Sequence, residues 1–127
     1  MTTHRILVTG LVTAITVLSP AAALAKDSDV KKTGTCSKSS SAKLKLGSEG
    51  SRIQTEFEVD QNRNGVRWTV TLRRNGALSV STRATTRSPS GSFSVRRLLT
   101  NGSGRDTVSA RAVSPSGEVC TARATFG

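Results

Sequence analysis

The chain of 127 residues has no tyrosine, one histidine, two cysteines and three prolines. Its aromatics are Trp68, Phe57, Phe93 and Phe126, and all four are needed to fill a core. No aromatic is left for a surface platform on which bases or sugar rings would stack. The histidine is His4, near the start, so the rest of the chain has no Ser-His-Asp or Cys-His catalysis, no histidine general base and no histidine metal ligand. Negative charge is scarce too: 8 acids stand against 19 lysines and arginines, a net charge of +11. No helical periodicity appears beyond residue 25.

Residues 1–25 read as a secretory signal peptide. His4 and Arg5 begin it, Ile6 to Leu18 is apolar, and Ala23-Leu24-Ala25 is a small-x-small cleavage site. The apolar stretch falls short of the roughly 20 residues of a membrane span. No cysteine stands directly after it for acylation, and the C-terminus carries no sorting tail, so free secretion is expected. Cleavage leaves one domain, in which the balance of basic over acidic residues points to anionic partners: nucleic acid, wall polymer or a cell surface. Solubility alone is the plainer account of that charge. Export also favours a disulfide between Cys36 and Cys120. It would close a loop of 84 residues, which the chain-entropy account values at about 4 to 5 kcal/mol.

The organising element is a hairpin over 66–84. Trp68, Val70 and Leu72 alternate with Arg67, Thr69, Thr71 and Arg73, the period-two pattern of a half-buried strand. Asn75-Gly76 then supplies the two positive-φ positions of a tight turn, and 77–84 returns with Leu78, Val80, Thr82 and Ala84 on one face. Before it, 26–35 reads as a flexible leader. Strands are expected over 41–46 and 52–60, with a turn at 47–50. After the hairpin come strands at 92–98, 106–113 and 118–126, the end of the first blurred by Leu98-Leu99. Short turns join 41–46 to 52–60, 66–72 to 77–84, and 106–113 to 118–126. Longer loops lie elsewhere.

Seven short strands punctuated by turns read as an all-β sandwich or barrel, and the linker lengths decide for the sandwich. Hairpins within sheets and arches between them give the order of a seven-stranded antiparallel immunoglobulin-like Greek key. Over residues 36–126 the chain resembles an immunoglobulin-like or fibronectin-III-like sandwich, with Trp68 at the place of the buried core tryptophan. It departs in having no tyrosine corner and in the placing of its cysteines. The resemblance implies that the start of the domain runs parallel beside the last strand, bringing Cys36 to Cys120. The Ala, Arg, Thr and Ser bias also resembles small secreted actinobacterial proteins.

The remaining catalytic candidates are carboxylates. Glu56, Glu58 and Asp60 share one strand face at spacings of about 7 Å, compatible in principle with glycoside hydrolysis or calcium. Pairing with Lys43 and Lys45 on the neighbouring strand accounts for them more simply. The glycines at 101–105 precede no helix and read as a turn rather than a phosphate loop. No metal or cofactor is expected, and the chain reads as non-catalytic. If 66–72, 77–84, 106–113 and 118–126 share a sheet, its outer face gathers Arg67, Arg73, Arg83, Arg111 and Arg123 among threonines and serines, with no acid. The expected function is a secreted binding module that contacts an anionic polymer through these five arginines. The alternative is a protein-recognition or inhibitor module acting through loops such as 85–91 or 100–105.

Overall fold

The computed structural model describes residues 10, 12–16 and 29–127. The expected signal peptide over 1–25 and the first residues of the expected leader fall almost wholly outside them. Among the described residues, no helix is long and apolar enough to cross a membrane.

Alternating side chains give each strand a wet and a dry side, and two sheets close their dry sides together. The strands are β1 (Val30–Thr33), β2 (Thr35–Cys36), β3 (Ser41–Glu49), β4 (Arg52–Asp60), β5 (Arg67–Arg74), β6 (Ala77–Thr85), β7 (Ser92–Thr100), β8 (Asp106–Val113) and β9 (Val119–Phe126). They form a four-stranded sheet, β1-β3-β4-β7, and a five-stranded sheet, β2-β9-β8-β5-β6. All pairings are antiparallel. Strand β6 stays beside β5 rather than crossing to the other sheet. Asn75 and Gly76 both have positive φ, as the tight hairpin turn requires.

The core combines Leu44, Leu46, Ile53, Phe57 and Val59 from one sheet with Trp68, Val70, Leu72, Val108 and the alanines of β8 and β9 from the other. Trp68 is fully buried and tilts against Phe93, ring centroids 6.0 Å apart. Its indole Nε1 donates to Gln61 Oε1 at 3.1 Å, which satisfies the ring's one polar atom. Cys36 and Cys120 form the expected disulfide.

Several expectations are corrected. The leader over 26–35 is not all loose: Val30–Thr33 pairs with Thr33↔Lys43 to Val30↔Leu46 along β3. Its residues do not alternate, Lys31, Lys32 and Thr33 all being exposed at a sheet edge, so the sequence alone carries no strand signal. The segment at Cys36 runs antiparallel to β9, not parallel. It continues the arm that already opposes β3, so it keeps that direction when it changes sheet. The change occurs at Gly34, whose N–H donates to Ala42 O at 2.8 Å. A Cβ there would sit 2.3 Å from Thr121 O, so only glycine fits without movement.

Leu78 does not face the core; it is 55% exposed. Leu72 pairs with Val80 but Arg73 pairs with Leu78, so a β-bulge at Ser79 inverts the alternation. Strand β3 extends through Glu49, beyond the turn expected at Gly47, which is buried. In β7 the alternation survives: Leu99 is buried, and Arg97 takes the inward slot opposite Thr55 but escapes to solvent from an edge strand.

Candidate functional site

The register places the arginines. Across the outer face of the five-stranded sheet, one rung reads Thr35, Thr121, Arg111, Thr71, Ser81. The adjacent rung reads Arg123, Ser109, Arg73, Leu78. Toward the other end Thr69 lies opposite Arg83, and Arg67 opposite Thr85. All five arginines are exposed, because every one occupies an outward position of its strand. No carboxylate shares these positions. Among the described residues none of the five arginines has a carboxylate within ion-pair distance.

The face divides into two concavities. Arg67, Thr69, Ser81, Thr82 and Arg83 line a shallow one. Arg73, Arg111 and Arg123 line a groove of about 490 Å³, with Thr71, Ser109 and Thr121 between them. Thr33, Gly34 and Thr35 complete that groove beside β9. This wall was missed in the sequence, where it lay inside the supposed leader. The available signal was a glycine between two threonines just before Cys36.

The opposite face has different chemistry. Glu56 pairs with Arg96 at 3.1 Å, Lys43 approaches Glu58 to 4.0 Å, and Lys45 pairs with Asp29 at 3.4 Å. The acids of β4 are thus interleaved with bases from β3 and β7. Asp60 turns locally, accepting from the Asn62 N–H at 3.0 Å.

Two buried carboxylates, neither anticipated, hold the ends of the sandwich. Asp106 accepts from Arg74 Nε at 2.8 Å, Asn75 Nδ2 at 3.0 Å and the Gly102 N–H at 2.8 Å. Burial pushes its carboxyl up, but these hydrogen bonds and the Arg74 charge outweigh burial and hold it below the ordinary value. At the other end Glu118 accepts from Lys38 N, Ser40 N and Ser40 Oγ. Both acids are consumed by fixing loops. Glu118 also lies within 4.8 Å of the cysteine sulfurs, but both sulfurs are already joined to one another.

The two loops expected to serve the alternative, protein-recognition reading lie at opposite ends. The loop at 86–91 packs by Gly91 O against the Gln61 N–H, beyond the end of β4. The loop at 101–105 is tied through Asp106 to the β5–β6 turn. They do not form one surface.

Comparison with known protein families, with curated proteins and with solved structures finds no match to this chain.

Proposed function

We propose that the protein is a secreted, non-catalytic module that binds an anionic polymer through the outer face of β9, β8, β5 and β6. The observation that carries this reading is the asymmetry of the two faces. Among the described residues one presents Arg67, Arg73, Arg83, Arg111 and Arg123 without a carboxylate, and the other interleaves its acids with bases. Arginine forks separated by hydroxyls suit phosphate or sulfate oxygens, to which guanidinium donates in pairs. Binding of this kind depends on salt and reads little sequence. An extracellular setting is supported by the disulfide and by the N-terminal sequence pattern. The β1-extended order β3-β4-β7 facing β6-β5-β8-β9 supports the immunoglobulin-like reading of the topology.

The test is retention on immobilised heparin in a salt gradient. The protein is expected to elute late, and the combined Arg67→Ser, Arg111→Ser, Arg123→Ser variant early. Elution of both at the same salt, or passage of the parent chain straight through, overturns the reading.

A further inference from the structure

The polymer reading treats the face as a field of charge, but its arginines are not evenly spread. Ser109 has Arg123 as its partner on β9 and Arg73 as its partner on β5. Arg111 lies two residues further along β8, on the same side of the sheet. Strand spacing therefore sets the Arg73 and Arg123 backbones roughly 10 Å apart, with Arg111 about 8 Å from each. Ser109 sits midway along the base of this triangle. Arg111 is itself flanked by Thr71 and Thr121. All three line the same groove, and an arginine side chain is long enough to extend from each corner to a point above Ser109.

From this we infer that the groove is a discrete subsite for one tetrahedral oxyanion, a phosphate or sulfate ester carried on a larger molecule. The inference rests on the polymer reading and sharpens it: the face grips one pendant or terminal group at this triangle, and the rest of the chain follows the outer arginines. The volume of about 490 Å³ suits a small group with part of its neighbour. Arg73 Nη1 donates to Gly76 O in the β5–β6 turn at 3.2 Å, so a bound anion draws this guanidinium from the turn toward Ser109. The Ser109 hydroxyl lies beneath the same point. The Thr33-Gly34-Thr35 wall closes the side next to β9, and it exists because Gly34 lets the chain pass against Thr121. A carboxylate would use two of the three corners; a tetrahedral group has oxygens for all three.

The test is titration of the disulfide-bonded protein with methyl phosphate and, separately, methyl sulfate at low salt, followed by backbone amide NMR. The expected result is saturable one-site binding, with shifts concentrated at Thr33–Thr35, Ser109–Arg111 and Thr121–Arg123. Arg111→Ser should weaken it at least tenfold. Arg52→Ser, on the other sheet, should leave it unchanged. Methyl phosphate binding that strengthens as pH rises through about 6, where the second proton leaves, marks a phosphate site. Tighter, pH-independent methyl sulfate binding marks a sulfate site. Absence of saturation, or equal loss in Arg111→Ser and Arg52→Ser, overturns the subsite. Heparin retention of the same samples reads the polymer proposal separately: a chain still retained without saturable small-anion binding loses the subsite and keeps the polymer face. Amide spectra report whether each variant is folded.

Discussion

Removing the Asp106 carboxylate should cost more stability than any change on the basic face. Its side chain is 1% exposed and that of Arg74 is 26% exposed. Asp106→Ala strands Arg74 Nε, Asn75 Nδ2 and the Gly102 N–H together. Breaking one partner of a buried ion pair costs about 3 to 5 kcal/mol. Partial hydration of Arg74 favours the lower end, so about 3 kcal/mol is expected. For a domain of this size that corresponds to a fall in Tm of roughly 12 to 24 °C. Urea and thermal unfolding followed by circular dichroism give both values. The pH dependence has a definite sign. The folded carboxyl sits below its ordinary value of 3.8. Its contribution is therefore present above about pH 4 and fades as pH falls through the folded value. The gap between the parent chain and Asp106→Ala should be full at pH 7 and shrink in acid. A loss under 1 kcal/mol at pH 7, or a gap that widens on acidification, refutes the reasoning.

Three further outcomes follow from the fold. Replacing Cys36 and Cys120 by serine opens a loop of 84 residues and should lower unfolding free energy by up to about 4 to 5 kcal/mol, measured in urea. Gly34→Val should destabilise by about 1 to 3 kcal/mol, because its Cβ meets Thr121 O and the flanking alanines; the same assay reads it. Leu78→Thr should stay within about 0.5 kcal/mol, since the bulge turns Leu78 outward, whereas a loss near 2 kcal/mol would mean the side chain is in the core.

The sequence made the sandwich legible because period-two alternation is a direct imprint of a sheet with one dry face. Ile53, Thr55, Phe57 and Val59 in β4, and Cys120, Ala122, Ala124 and Phe126 in β9, are buried as that alternation requires. Asn75-Gly76 marked its turn for the same local reason. What stayed hidden was set by partners distant in the chain. The Ser79 bulge depends on how β6 settles against β5. Val30–Thr33 is a strand because β3 offers it an edge, not because its own residues alternate. Asp106 and Glu118 read in sequence as the first residues of strands, and their burial comes from the loops that fold around them. For the basic face, the strand phase of each arginine was readable, so all five could be put on one side. The division into two concavities was not, because it depends on register and on the wall that Gly34 permits.

The salt dependence of affinity for a defined single-stranded oligonucleotide, measured by fluorescence anisotropy, tests polymer binding by the basic face most directly. Log affinity should fall linearly with log salt, and each of Arg67→Ser, Arg111→Ser and Arg123→Ser should reduce the slope by about 0.7. An affinity that ignores salt, or a slope those three substitutions leave unchanged, would contradict the account.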